Sequence, residues 1–170
     1  MTGAPGAAPC LQHLAEVVVR EAALLLATDR RLFGPGFGTA EVLALAANED
    51  LAERVDAFVA RFGHLQDTLG AALLPRLLEA LLEPAGTVLD NLNRAEKLGW
   101  VSSAAGWASL RQLRNRMVHE YVTDADALAQ ALNAAHNGVP DLVAAAHAMT
   151  GRVRALLAPT PTVTPATPQP

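Results

Sequence analysis

Side chains suited to chemistry on a phosphate ester are concentrated in one short stretch of this chain. Arg114, Asn115, His119 and Tyr121 follow the order Arg, Asn, three residues, His, one residue, Tyr. Histidine exchanges protons near neutral pH, and arginine offers a planar fork of donors to phosphate oxygens. RNA is cut without a metal when a base removes the 2′-hydroxyl proton, the oxygen attacks phosphorus and cationic donors stabilise the charge. We therefore expect Arg114, Asn115 and His119 to be catalytic.

Two neighbouring arginines extend the basic character of this stretch. Arg111 and Arg116 join Arg114, although the chain has only 13 basic residues and a formal net charge of −4. That charge argues against nonspecific coating of nucleic acid, which depends on many phosphate contacts, but it does not exclude a local site. We expect Arg111 and Arg116 to bind the RNA substrate.

A helix through the stretch would present two faces, at about 100° per residue. Arg111, Asn115 and His119 share one face, where the Asn115 amide is one i,i+4 step from the imidazole and can orient it. The opposite, apolar face also carries Arg114, which is costly there unless a bound anion or a structural carboxylate pairs with it. The apolar face consists of Trp107, Leu110, Leu113, Met117 and Tyr121.

The positions of Arg114 and His119 pose a geometric problem. Five residues correspond to about 140° around an ideal helix, so the two side chains do not share a face. Either the long arginine reaches around the helix, or the helix is distorted, or residues from two protomers complete each site.

The pattern R-N-x3-H-x-Y resembles the R-x4-6-H motif of HEPN domains. Its final tyrosine is similar to that of HepT-type toxins, which are paired with small nucleotidyltransferases. The resemblance extends over residues 58–121, in the segments 61–67 and 89–92 and in Trp107. The glycine-rich segment 34–38 and the Pro/Thr-rich C-terminal segment depart from the family pattern.

This resemblance implies a ribonuclease toxin of a HEPN/MNT toxin–antitoxin module. It implies a homodimer whose two motifs converge on one cleft, with an MNT-type nucleotidyltransferase as the antitoxin. It also implies that the antitoxin neutralises the toxin by attaching AMP to the hydroxyl of Tyr121. Two alternatives stay open: a non-catalytic HEPN partner or substrate-binding subunit of a nucleotidyltransferase, and a helical scaffold without chemistry.

Composition favours an all-α protein. Hydrophobic residues make up 51% of the 170 residues but aromatic residues only 4%, an aliphatic balance that suits helices. We predict an antiparallel bundle of four to five helices of the HEPN type, with a flexible tail at residues 1–9, a helical domain at 10–157 and a disordered tail at 158–170. The spacing of histidines and the single Cys10 suit no metal site, and we expect no cofactor.

The chain shows neither a membrane span nor the basic start of a signal peptide. We expect a cytoplasmic protein without membrane contact, and a reducing compartment suits the single cysteine.

Local signals place the helices. The first helix should end before the loop Gly34–Gly38. Thr39 should cap a short helix over 40–47, and Asn48 or Asp50 should begin the longest element. That element carries an apolar seam at heptad-like spacing, which a neighbouring helix should cover, and Pro75 should kink or restart it. The seam consists of Leu51, Val55, Phe58, Phe62, Leu65 and Leu69.

The second half of the chain repeats these signals. Thr87 and Asp90 form a predicted capping box for a helix closed by Gly99, and Ser102 or Ser103 should cap the helix that carries the motif. A cap at 123–126 predicts a last helix, interrupted near Pro140 and ending near residue 157. A further face is too wide for one neighbour, so a second chain is expected to cover it; it consists of Leu73, Leu74, Leu77, Leu78, Leu81 and Leu82.

Overall fold

The structure of the protein is a computed structural model that describes residues 7–119 and 124–159, without the side chains of residues 118 and 119. Within those ranges the chain is helical and contains no strand, which confirms the all-α prediction. No helix in this part of the chain is both long and apolar enough to cross a membrane. The elements are α1 (Ala7–Phe33), α2 (Thr39–Ala44), α3 (Glu49–Asp67), a π-helical segment (Thr68–Leu73), α4 (Leu74–Ala80), α5 (Val88–Lys97), α6 (Ala104–His119) and α7 (Ala125–Leu157).

The first helix begins earlier than predicted. Because α1 starts at Ala7, Pro9 belongs to the helix and not to the tail predicted over residues 1–9. Proline is tolerated in a first turn, where the backbone N–H groups have no intrahelical acceptor. The predicted loop follows Phe33, and Gly36 turns the chain there with φ of 94°, a value that a residue without a Cβ adopts readily.

Side-chain caps begin three helices at the predicted positions. Asn48 Oδ1 accepts the N–H of Leu51 at 3.1 Å, at the start of α3. At the start of α5, Thr87 Oγ1 accepts the N–H of Asp90 at 3.2 Å, while Asp90 Oδ2 accepts the N–H of Thr87 at 3.0 Å. Asp124 caps α7, since its Oδ1 accepts two N–H groups of the first turn.

Local contacts also cap the starts of α6 and α2. Ser103 Oγ accepts the N–H of Gly106 at 3.0 Å and so begins α6, as predicted. For α2 the prediction was wrong in detail, because Glu41 Oε2 accepts the N–H of Gly38 at 2.7 Å. The hydroxyl of Thr39 instead donates to Asp126 at 2.5 Å and so ties α2 to the start of α7.

The long helices share one core. α1 packs against both α3 and α7, and α6 packs against α3, α5 and α7. The predicted seam of α3 lies in this core: the side chains from Val55 to Leu69 in the series are fully buried, and Leu51 is half-buried. Burial of such a seam supplies most of the stability of a helical protein.

The wide leucine face is covered within the chain, contrary to the prediction that a second chain covers it. Leu73, Leu74, Leu77 and Leu78 each have 0% exposure, because the π-helical segment and α4 both pack against α1, α5 and α7. Of the six leucines only Leu82 is strongly exposed, at 81%. This face therefore offers no broad apolar surface for a dimer.

Two prolines occur inside helical stretches and have different effects. Just upstream of Pro75 the backbone widens into the π-helical segment, where the N–H of Leu74 donates to the carbonyl of Leu69. A π-helical segment of this kind accommodates an interruption of the α-helical hydrogen-bond pattern, such as the one that a proline causes. Pro140, in contrast, lies within the continuous α7, so the predicted interruption is wrong. Its ring is exposed, and packing of α7 against α1 and α6 holds the helix together across the missing N–H.

Candidate functional site

Among the side chains that the structure describes, α6 has a buried face and an exposed face, as the periodicity predicted. Trp107 and Met117 are buried against the core, with exposures of 6% and 0%. Arg111, Asn115 and Arg116 are exposed. The structure therefore places the two predicted substrate-binding arginines and the predicted amide on the accessible side of this helix.

Arg114 lies between these faces, at the junction of α6 with α3. Its Nη1 donates to Asp67 Oδ2 at 2.6 Å, and the side chains of Arg114 and Asp67 are 34% and 46% exposed. A guanidinium carries five N–H donors, so one carboxylate oxygen satisfies only part of it. The partner that Arg114 required is therefore a carboxylate from another helix, and the arginine stays accessible to solvent.

One glycine on α3 and one in the π-helical segment make room for the side chains of α6. A Cβ on Gly63 would lie 2.7 Å from Nε of Arg114, and a Cβ on Gly70 would lie 3.4 Å from Nε1 of Trp107. The absence of a side chain at Gly63 therefore leaves space for the Arg114 side chain, and its absence at Gly70 leaves space for the Trp107 ring. The side chain of Arg114 consequently passes close to Gly63 before it reaches Asp67.

A buried amide joins the same two helices. Gln66 is 2% exposed, and its Nε2 donates to the carbonyl of Trp107 at 3.4 Å. Its Oε1 has no partner within the described residues. Both Gln66 and Asp67 precede the π-helical segment, a type of irregularity that often accompanies functional sites.

Two motif residues are not placed. His119 ends α6, but its side chain is outside the described part of the structure, and Tyr121 is outside it altogether. The relation of His119 to Asn115 or Arg114, and the proposed modification at Tyr121, therefore stay predictions.

Sequence reasoning missed Asp67 as a member of the site. It lies 47 positions from Arg114 in the chain, and no spacing rule connects the two. The available signal was indirect, namely a charged residue on an apolar helix face, which required a partner without identifying it.

A second polar contact, between residues outside the motif, joins α1 and α7. His136 Nδ1 lies 2.7 Å from Asp29 Oδ1, and the imidazole stacks on Phe33 with ring centroids 4.4 Å apart. Asp29 is 8% exposed. The contact satisfies a nearly buried carboxylate, so His136 is an interhelical residue.

Metal-binding clusters are absent from the described residues, in which no three His, Cys, Asp or Glu side chains group around one point. No family model, no curated protein and no solved structure matches the chain.

Proposed function

We propose that this protein is a metal-independent endoribonuclease of a HEPN/MNT toxin–antitoxin module, acting on cytoplasmic RNA from a surface on α6. The observation that supports the proposal is the state of Arg114, whose guanidinium is held by Asp67 at 2.6 Å yet remains one-third exposed. A carboxylate that fixes one nitrogen positions the remaining donors for phosphate oxygens. Such preorganisation is useful for binding a phosphate whose charge rises during cleavage.

The exposed face of α6 provides the other proposed roles. Arg111 and Arg116 bind the RNA backbone, and Asn115 orients either the imidazole or the phosphate. His119 acts as general base or acid, because its ordinary pKa lies near neutrality. Arg111, Asn115 and His119 share one face of an ideal helix, so RNA lying along that face would contact them in succession.

The proposed enzyme is a homodimer. Arg114 and His119 are about 140° apart on an ideal helix, so His119 of one protomer would complete the site of Arg114 in its partner. The support is the resemblance of the motif together with the exposure of Arg111 and Asn115, which leaves this face of α6 open. Sedimentation equilibrium at tens of micromolar protein tests for the dimer. A monomer at that concentration would refute the proposal that two protomers complete each site.

Cleavage is tested with purified protein and a labelled RNA in the presence of a chelator. The expected product ends in a 2′,3′-cyclic phosphate or its hydrolysis product. Arg114→Ala and His119→Ala should each lower the rate by at least about a hundredfold, the usual contribution of a general base or an oxyanion donor. Arg152→Ala is the control, since it removes an exposed arginine of α7. Equal rates in all four proteins would refute the catalytic assignment.

The antitoxin partner is tested at Tyr121. We propose that an MNT-type nucleotidyltransferase attaches AMP to its hydroxyl, which adds a phosphodiester charge and the bulk of a nucleotide near the site. Mass spectrometry after co-expression should find AMP on the wild type and none on Tyr121→Phe, and this variant should stay toxic. Neutralisation of Tyr121→Phe without an adduct would show that the antitoxin inhibits by binding alone.

One observation favours a second function. Because Asp67 already neutralises Arg114 inside the chain, the arginine also suits a purely structural role, as in a non-catalytic HEPN partner or a substrate-binding subunit of a nucleotidyltransferase. Such a protein would bind RNA or the nucleotidyltransferase without cutting RNA. Binding that survives Arg114→Ala, combined with no cleavage by the wild type, would support this alternative.

A further inference from the structure

A cavity between α1 and α3 is lined by three arginines. Its volume is about 330 Å³, and Arg31, Arg54 and Arg61 contribute to its wall. None of these residues belongs to the motif on α6. Such a grouping of guanidinium groups is costly by mutual repulsion unless carboxylates or a bound anion offset it.

The arginines are not neutralised by close ion pairs. Within residues 7–119 and 124–159, neither Arg31 nor Arg54 lies within 4.0 Å of a carboxylate oxygen. The carboxylates of Asp50 and Glu53 line the same cavity without closing on a guanidinium. The cavity therefore contains three positive and two negative groups, each able to form further hydrogen bonds.

One of the arginines is held in position. Arg61 Nη1 donates to the hydroxyl of Thr28, and that hydroxyl in turn donates to the carbonyl of Leu24 at 2.9 Å. Thr28 is 3% exposed. A nearly buried threonine thus fixes the guanidinium at the cavity wall, which reduces the conformational entropy lost when a ligand binds.

The mixture of charges restricts the chemistry of a ligand. Arginine forks suit the oxygens of a phosphate, whereas Asp50 and Glu53 would repel a bare anion and accept hydrogen bonds from hydroxyl groups. The volume is at the lower end of small-molecule sites, larger than a phosphate group alone requires.

We propose that this cavity binds a small phosphorylated sugar or nucleoside, with its phosphate on Arg31, Arg54 and Arg61 and its hydroxyls on Asp50 and Glu53. The site is separate from α6 and does not depend on the ribonuclease proposal. Its ligand class is defined by a phosphate monoester joined to a polyhydroxylated ring, which phosphorylated sugars and mononucleotides share.

Calorimetric titration of the full chain tests this site with four probes: ribose 5-phosphate, AMP, ribose and inorganic phosphate. Binding of both phosphorylated probes would show that the site recognises the phosphorylated sugar that the two probes share. Binding of AMP without ribose 5-phosphate would show that the site requires a nucleotide. Ribose should not bind, and inorganic phosphate should bind at least about tenfold more weakly than the better phosphorylated probe. Failure of both phosphorylated probes to bind, or equal binding of phosphate, would overturn the proposal.

Matched variants locate the binding. Arg31→Ala or Arg54→Ala should weaken it about tenfold or more, the usual effect of losing one charge-assisted hydrogen bond. Arg30→Ala is the control, because Arg30 is exposed beside Arg31 on α1 but does not line the cavity. Unchanged affinity in both cavity variants would refute the site.

Thr28 is expected to act as a positioning residue through Arg61. Thr28→Val keeps the shape of the side chain but removes the hydroxyl, and it should weaken binding in the wild-type background. In an Arg61→Ala background the same substitution should have no further effect on affinity. An equal effect in both backgrounds would show a merely structural role, and thermal melts monitored by circular dichroism verify that each variant is folded.

Discussion

The ion pair between Arg114 and Asp67 can be measured with a double-mutant cycle. Arg114→Ala, Asp67→Ala and the double variant remove each partner separately and together. Because the side chains are 34% and 46% exposed, solvent screens the pair, and the coupling should resemble that of surface pairs more than the 3–5 kcal/mol seen on breaking a buried one. A short bond of 2.6 Å between charged groups raises the expected value to the upper end of the surface range, about 1 kcal/mol.

The two single variants should not be equivalent. Arg114→Ala also removes the aliphatic stem that lies against Gly63, so it should cost more than Asp67→Ala. We expect the free energy of unfolding to fall by about 2 kcal/mol for the arginine variant and by about 1 kcal/mol for the aspartate variant. For a chain of this size that corresponds to a lower melting temperature by roughly 2–4 °C per kcal/mol.

Urea denaturation followed by circular dichroism gives the four free energies. Arg111→Ala is the control, since it removes an exposed arginine of the same helix and should change stability by less than about 0.5 kcal/mol. A coupling energy below about 0.2 kcal/mol would refute the reasoning, because Arg114 and Asp67 would then not interact in solution. Salt should lower the coupling, as expected for a partly exposed pair.

Three further predictions concern the scaffold. Leu78→Ala should lower the free energy of unfolding by about 3 kcal/mol because the side chain is fully buried. The control Leu82→Ala, at an exposed position, should change it by less than about 0.5 kcal/mol, and similar losses in the two variants would contradict the burial of the leucine face. Hydrogen bonds from Thr87 hold the pKa of Asp90 below its ordinary value, so the ionised carboxylate stabilises the fold above the ordinary pKa, and this stabilisation is lost as the pH falls through the lowered pKa. The difference in melting temperature between the wild type and Asp90→Ala should therefore disappear on acidification, and a difference that stays constant with pH would exclude this linkage. Pro140→Ala should raise the free energy of unfolding by about 1 kcal/mol or more by restoring a helical N–H, and a lower melting temperature would show that the ring itself is needed.

Local signals in the sequence were sufficient for most helix boundaries. Asn48, Ser103 and the Thr87–Asp90 pair cap their helices as predicted, because a cap depends only on side chains and N–H groups within about one turn. Apolar periodicity likewise predicted the burial of the α3 seam. Pro140 was misjudged, because its helix is maintained by packing between distant segments, which a local rule does not contain.

For the candidate site, too, some features followed from the sequence and others only from the tertiary structure. Composition and periodicity by themselves determined that the chain is helical, that α6 has an apolar and a polar face, and that Arg114 requires a partner. Only the tertiary structure decided that the partner is Asp67, that Gly63 makes room for the guanidinium, and that the leucines of α4 are covered within the chain. The physical reason is that helix propensity, capping and amphipathicity act between neighbours in the chain, whereas ion pairs and burial depend on which helices meet in space.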